Sequence, residues 1–240
     1  MRAFFFCLAA IFMFNMVYAQ FPTDDYSKWR SPDGRNIDLL YVNRTGNIPQ
    51  QPKIKTVGSP YEDATFNPGM LYNDDETFQV NLFARYNIMD DVIEIKNTVS
   101  DHDSLIKFLI KTPDLSLKID EKVYDFVPFS GNIEDGAYFE ILFRGNNVDL
   151  YKKHSKKFIE GRIARTSYEV DFPQRFVDEN AYFFVTNEGK MIEFPSSSNK
   201  KLDVIPYKKQ ELNKYIKEKK LQINEEKDLI NLIRYLDSLL

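Results

Sequence analysis

Residues 70 to 194 consist of short apolar stretches separated by clusters of Asn, Asp, Gly and Pro. This rhythm is typical of an antiparallel β domain, because each cluster can supply a turn between two short strands. The predicted strands span 70–73, 77–86, 91–97, 104–110, 115–119, 122–128, 137–144, 147–152, 157–163, 167–171, 181–186 and 190–194.

Two stretches predict hairpins most clearly. In "YFFVTNEGKMIEF", Gly189 ends the "NEG" turn and can supply the left-handed conformation that such a turn needs. In "YFEILFRGNNVDLY", the letters "GNN" at 145–147 separate two apolar arms. Neighbouring strands in the sequence are therefore expected to be neighbours in the sheet.

A third hairpin is predicted in "LFARYNIMDDVIEIK" (82–96), where acidic residues crowd together. With "NIMD" as a four-residue loop, Tyr86 faces Asp91 and the apolar residues share one face. Arg85 and Glu94 become diagonal neighbours on the other face, where an ion pair in water contributes little. The pattern favours a hairpin tip over the acidic centre of a hydrolase.

The first 19 residues predict a secretory signal peptide. They combine one positive charge at Arg2, an apolar run and a small residue, Ala19, at the end. Cys7 is the only cysteine and lies inside this run, so the mature chain would contain none. We therefore expect an exported protein, periplasmic or extracellular, whose stability comes from its core rather than from disulfides.

The two ends of the mature chain differ from the β body at 70–195. Residues 20–70 hold six of the eleven prolines and one clear strand, 37–42, which predicts an extended arm with Trp29 as an anchor. Residues 204–240 predict a helical hairpin packed on the body. Its second helix would begin after Asn224. The apolar stripe of that helix comprises Leu229, Ile230, Leu232, Ile233, Leu236, Leu239 and Leu240.

The predicted fold class is therefore mainly β with a helical addition. We expect a curved antiparallel sheet or β-sandwich-like body, with the C-terminal α-helical hairpin docked on it. After removal of the signal peptide, no apolar run is long enough to span a membrane.

Catalytic and metal-binding motifs are scarce in this sequence. His102 and His154 are the only histidines, and without cysteine a zinc site would need carboxylates as its other ligands. The "DHD" letters at 101–103 favour a polar turn, because no second run of ligands follows at a fixed spacing. Nucleophile-elbow, Walker and dinucleotide-binding motifs are absent from the sequence. We predict no catalytic, cofactor-binding or metal-binding residues, and a binding role is favoured over catalysis.

Two basic stretches interrupt an acidic background with a formal net charge of −4. One is "YKKHSKKF" at 151–158 and the other is the lysine-rich run at 200–220. The mild charge and the predicted export argue against a nucleic-acid partner. The candidate binding residues are Lys152, Lys153, Lys156, Lys157, Arg85 and Trp29.

Four stretches carry a resemblance to a known family. They are "GSPYEDATFNPGMLY", "ARYNIMDDVIEIK", "AYFFVTNEGKMIEF" and the closing "YKKQELNKYIKEKKLQINEEKDLINLIRYLDSLL". In this order the chain resembles a family of exported Bacteroidota proteins. The resemblance implies export and one co-folding unit, and it transfers no catalytic role.

These features together favour a non-catalytic exported protein that binds another component of the cell envelope. A soluble accessory subunit of an outer-membrane assembly would fit the proline-rich arm and the lysine-rich segments. One alternative is a small-apolar-ligand binder, since a curved sheet rich in Phe and Tyr can enclose such a molecule. Another is a cell-envelope hydrolase, because folding could bring two carboxylates together.

The signal-peptide prediction is tested by the mass of the native protein. The mature chain should begin at Gln20, and Ala19→Arg should leave the precursor uncleaved, because the cleavage site needs a small residue. Native protein that retains Met1 in a membrane fraction would contradict the prediction.

Overall fold

The computed structural model describes residues 41–43, 55–75, 77–129, 132–164, 166 and 168–240. The described chain is mainly β with C-terminal helices, so the predicted fold class is confirmed. Trp29, the signal segment and most of the proline-rich arm lie outside the described residues. The strands are β1 (Tyr41–Asn43), β2 (Thr56–Val57), β3 (Asn67–Asn73), β4 (Gln79–Asn87), β5 (Val92–Lys96), β6 (Lys107–Leu109), β7 (Leu115–Ile119), β8 (Lys122–Phe129), β9 (Asn132–Arg144), β10 (Val148–Lys153), β11 (Lys156–Ile159), β12 (Gln174–Asp178), β13 (Ala181–Thr186) and β14 (Met191–Glu193). The helices are α1 (Ser198–Val204), α2 (Lys209–Lys219) and α3 (Glu226–Asp237).

Eleven of these strands form one antiparallel sheet in the order β1-β6-β5-β4-β3-β7-β8-β9-β10-β13-β14. Most neighbours in this order are also neighbours in the sequence, as the hairpin rhythm predicts. A second sheet has the order β11-β12-β2, in which β2 runs parallel to β12.

The large sheet curls strongly, as contacts across its concave face show. Tyr86 on β4 and Tyr124 on β8 are three strand spacings apart, which is about 14 Å in a flat sheet. Their ring centroids are nevertheless 5.5 Å apart. At the same face, the backbone N–H of Tyr138 donates to the carboxylate of Asp91 at 3.2 Å. The sequence predicts either a curved sheet or a β-sandwich-like body, and the structure contains a curved sheet.

The concave face carries two apolar clusters. The first fills the curl from β6 to β9 and includes Leu71, Ala84, Ile93 and Leu117, all essentially inaccessible to solvent. The second lies where the helices pack against β10, β13 and β14. It contains Val148, Leu150, Phe184, Phe194, Ile205, Leu212, Ile223, Leu229, Leu232, Ile233 and Leu236.

The helices bury the stripe that their periodicity predicts, with one correction. Leu229, Leu232, Ile233 and Leu236 are the buried residues of α3. Leu240 was expected in the same stripe but is 46% exposed, because α3 ends at Asp237. The capping prediction is also wrong, since Glu225 rather than Asn224 precedes α3. None of the described helices is long and apolar enough to cross a membrane.

The end of α3 is tied to the β9–β10 turn by Asp237. Its carboxylate accepts hydrogen bonds from the backbone N–H groups of Asn147 at 2.7 Å and Val148 at 3.2 Å. Burial alone would raise the pKa of Asp237, but these donors outweigh it and hold the pKa below its usual value. A Cβ on Gly145 would approach the Asp237 carboxylate to 2.6 Å, so the glycine of the "GNN" turn permits this close contact.

The β4–β5 hairpin differs from its predicted register by two residues. Tyr86 pairs with Ile93 rather than Asp91, and Arg85 lies directly opposite Glu94. The loop moves to residues 88–91, where Asp91 adopts a left-handed φ of 49°. A shift of two preserves the faces of the strands, because side chains alternate with a period of two. The predicted apolar face is therefore correct although the pairing is wrong.

The sequence pattern predicts the limits of some other strands correctly and fails for others. β7 and β13 have the predicted limits. Residues 168–171, predicted as a strand, form none in the described chain. The short strands β2 and β12 were not predicted, because each is half exposed and lacks a sustained apolar alternation.

Burial of the α3 stripe predicts a clear contrast between two leucines. Leu236→Ala should lower the free energy of unfolding by about 2–5 kcal/mol, because it leaves a cavity in a packed core. Leu240→Ala is the matched control and should change it little, since this side chain is exposed. Chemical denaturation measures both, and equal effects would contradict the packing of α3 on the sheet.

Candidate functional site

A row of polar side chains crosses the concave face between the two apolar clusters. Tyr124 on β8 pairs with Glu140 on β9, Glu140 with Lys152 on β10, and Lys152 with Tyr182 on β13. On the other side of Tyr124, the row continues into the first apolar cluster through Leu117. The row is therefore the boundary at which the two clusters meet.

His154 lies two residues beyond Lys152 and points to the same face. Its Nε2 atom is 2.6 Å from Oε2 of Glu140 and 3.9 Å from Oε1 of Glu62. The side chain of His154 is only 5% exposed, and the ring of Tyr86 lies edge-on to it at 6.1 Å. Ligand atoms of Glu62, Glu140 and His154 all lie within 4.8 Å of one another. We refer to these three residues as the His–Glu cluster.

Glu62 reaches the cluster from the segment that precedes β3. Its backbone N–H donates to the carbonyl of Tyr86 at 3.0 Å, which places the side chain at the mouth of the curl. Lys122 and Tyr124 both donate hydrogen bonds to its carboxylate. Burial alone would raise the pKa of Glu62, but these hydrogen bonds and the charge of Lys122 outweigh it and lower the pKa.

Lys152 connects the sheet to the first turn of α3. Its Nζ atom is 2.7 Å from Oε2 of Glu226 and 3.8 Å from Oε2 of Glu140. The hydroxyl of Tyr182 donates to the same Glu226 oxygen at 3.0 Å. Burial opposes ionisation of Glu226, yet the hydrogen bonds and charge of these donors lower its pKa. The helices are thus joined to the sheet by charge as well as by apolar contacts.

An open pocket of about 520 Å³ leads to this region. Its lining includes four acidic and two basic side chains, and Glu62 belongs to both the pocket and the His–Glu cluster. The lining residues are Glu62, Asp63, Ala64, Asn67, Arg85, Tyr86, Ile119, Asp120, Glu121, Lys122 and Tyr124. Solvent and small solutes can therefore approach the cluster from the side of Glu62.

The lysines predicted to bind a partner do not share one surface. Lys152 belongs to the polar row, and Lys156 donates to the carbonyl of Ser59 at 3.1 Å. Lys153 is half-buried and Lys157 is exposed. Their role in partner binding stays a prediction, although two of them already make internal contacts.

Arg85, the other described binding candidate, is held in an ion pair. Its NH2 atom is 2.6 Å from Oε2 of Glu94, and the two side chains are only 15% and 2% exposed. The guanidinium also lies over the rings of Tyr61 and Phe66, at 4.1 and 4.3 Å from the centroids. These contacts give Arg85 a structural role at the edge of the pocket.

The acidic residues at the hairpin tips serve local structure. Asp91 accepts hydrogen bonds from the Tyr86 hydroxyl at 2.6 Å and from Lys111 at 2.7 Å. Asp101 accepts from backbone groups of its own loop, and the His102 side chain caps a single 3-10 turn. This agrees with the turn interpretation of both stretches and not with a hydrolase centre there.

The residues that do converge were missed by the sequence analysis. Glu62, Glu140 and His154 are far apart in the chain, so no local spacing connects them. One signal was present: Glu140 is a lone acid among the apolar residues of "YFEILF", at a position that alternation directs to the buried face.

Exposed apolar side chains concentrate around the small sheet. Among the described residues, eleven large apolar side chains are exposed, and six of them belong to this region. They are Val57, Phe158, Ile163, Tyr168, Val170 and Phe172. Val57 pairs with Arg175 and Phe158 pairs with Phe176, so Val57 and Phe158 lie on opposite faces of the small sheet. We call the six residues, which include both faces, the β11–β12 surface.

Comparisons with family models, curated proteins and solved structures give no match to this chain. The resemblance to exported Bacteroidota proteins therefore stays a prediction. Function has to be argued from the geometry.

The hydrogen bond from Tyr124 predicts a pH-dependent stability effect. Ionised Glu62 contributes stability above its ordinary pKa of 4.5, and this contribution is lost as the pH falls through its lowered folded pKa. Tyr124→Phe removes one donor, so the pKa of Glu62 should rise toward the ordinary value. The loss in free energy of unfolding should consequently be larger at pH 7 than at pH 3.

Carboxylate NMR titration and denaturation at both pH values measure these effects. Tyr151→Phe is the matched control, because its hydroxyl donates to Asp149 rather than to Glu62. An unchanged Glu62 pKa in Tyr124→Phe would contradict the assigned hydrogen bond.

Proposed function

We propose that this is an exported, non-catalytic binding protein that attaches to a protein component of the cell envelope through the β11–β12 surface. The observation that carries the proposal is the concentration of exposed apolar side chains there. Soluble proteins rarely leave such groups uncovered in one region unless they bind something.

The most exposed part of the surface is the loop between β11 and β12. Tyr168 is 98% exposed and Val170 is 86% exposed. The base of the loop is closed by two backbone hydrogen bonds of 2.7 Å between Arg162 and Phe172. A loop held at its base loses less conformational freedom on binding, which favours association.

The strands below the loop add aromatic contact area. Phe158 on β11 packs against Phe176 on β12 with ring centroids 5.0 Å apart, and remains 39% exposed. The guanidinium of Arg175 lies 4.9 Å from the ring of Phe172. Half-covered aromatic rings beside arginine are typical of interface centres.

The charges near this surface favour a protein partner over a lipid surface. Lys157, Arg162 and Arg175 are exposed there, but so are Glu160 and Asp171. An anionic membrane would repel the acidic side chains. A protein partner can match both signs at the rim of an interface while its apolar groups cover the centre.

The two alternative functions receive less support. The pocket at Glu62 is lined by six charged side chains, which do not suit a small apolar ligand. For a hydrolase, the general acid needs a raised pKa, so Glu62, whose pKa is lowered, does not suit that role.

Site-specific photo-crosslinking in intact cells tests the proposal. A photoreactive phenylalanine analogue at Tyr168 should crosslink to one envelope protein in good yield, and the same analogue at Val99 should not. Val99 is a matched control because it is 58% exposed and lies between β5 and β6, in the large sheet rather than the small one.

A charge substitution tests whether this surface contributes to partner binding or only lies near the partner. Val170→Glu should reduce recovery of the crosslinked partner at least tenfold, whereas Val99→Glu should leave it unchanged, because only the first places a charge in the apolar interface. Equal recovery in both variants, or binding only to protein-free phosphatidylethanolamine and phosphatidylglycerol vesicles, would overturn the proposal.

A further inference from the structure

We infer that the His–Glu cluster is a binding site for a zinc-type divalent metal ion. The site lies outside the β11–β12 surface and does not depend on the proposed partner. Its donors are Nε2 of His154 and one carboxylate oxygen each from Glu62 and Glu140.

The donor set suits zinc better than the hard cations. Zinc sites with three protein ligands use imidazole nitrogen and carboxylate oxygen, and keep the fourth position for water. Calcium and magnesium take oxygen ligands, so a buried imidazole at the centre of the site disfavours them.

The distances are close to those that a metal requires. Bonds of about 2.0–2.1 Å place the ligand atoms of a tetrahedral site roughly 3.3 Å apart. The histidine nitrogen is 2.6 Å from its Glu140 oxygen and 3.9 Å from its Glu62 oxygen. The remaining pair, Glu62 and Glu140, is within 4.8 Å, and rotation of the two carboxylate side chains would have to equalise these separations.

In the present structure, the ammonium group of Lys122 supplies the positive charge that a metal ion would bring to Glu62. Its ammonium group binds Oε1 of Glu62, the same oxygen that faces His154. The Lys122 side chain is 47% exposed and can turn to solvent, and Lys152 can keep its pairing with Glu226. The carboxylates of Glu62 and Glu140 then balance the two charges of the metal ion.

A neighbouring hydroxyl group would orient one ligand of the metal ion, and the adjacent pocket would let the ion reach the cluster. The hydroxyl of Tyr124 donates to Oε2 of Glu62 and leaves Oε1 for the metal. Such outer hydrogen bonds tune metal sites and commonly affect affinity. The pocket of about 520 Å³ reaches Glu62, so a metal ion and its bound water can enter from this side.

Calorimetric titration of the metal-free full chain with zinc chloride tests this site, with metal content checked by mass spectrometry. The chain carries Cys7→Ser, so that its only cysteine cannot contribute. One zinc ion should bind per chain. Glu140→Gln and His154→Ala should each weaken binding by about tenfold or more, because each removes a ligand.

Two further variants test whether zinc binds at the His–Glu cluster and not elsewhere on the chain. His102→Ala removes the only other histidine, which is exposed, and should leave zinc affinity unchanged. Lys122→Ala removes the competing ammonium group and should strengthen zinc binding several-fold while remaining folded. Absence of zinc binding to the parent chain, or weaker binding in Lys122→Ala, would overturn the inference. Crosslinking at Tyr168 is a separate readout, so failure of one proposal leaves the other intact.

Discussion

Lys152 lies between Glu140 and Glu226 and links the curled sheet to the helices. It joins β9, β10 and α3 at the boundary between the two apolar clusters. The side chains of Lys152 and Glu140 are nearly buried, and buried charges are costly unless they are paired. The curled sheet and the docked helices are therefore linked at Lys152, whose positive charge is paired with the carboxylates of Glu140 and Glu226.

The segment before β3 connects this polar region with the β11–β12 surface. Val57 belongs to that surface and pairs with Arg175 on β12. The carbonyl of Ser59 accepts from Lys156, and Tyr61 forms a bridge with Asn87 at the end of β4. Glu62 follows at once and enters the His–Glu cluster. One short stretch thus contributes to an exposed apolar surface at one end and a buried polar cluster at the other.

Local patterns account for much of the fold. The turn at Gly189 adopts the predicted left-handed conformation, with φ of 77°. The alternation in β4 correctly separates buried from exposed faces, even though the β4–β5 pairing slips by two residues. A slip of this size leaves the faces intact and so cannot be detected from alternation alone. The short strands β2 and β12 do not follow from a local pattern, because their pairing with each other joins segments distant in sequence.

Alternation, turn chemistry and helical periodicity are local properties, and they predict the β-rich class, the hairpin order and the buried stripe of α3. The extent of the curl, which brings Tyr86 and Tyr124 into contact across three strand spacings, comes from long-range packing instead. The same curl assembles the His–Glu cluster from residues that share no local motif. Long-range packing sets these distances, and no property of a residue or its near neighbours in the chain encodes them.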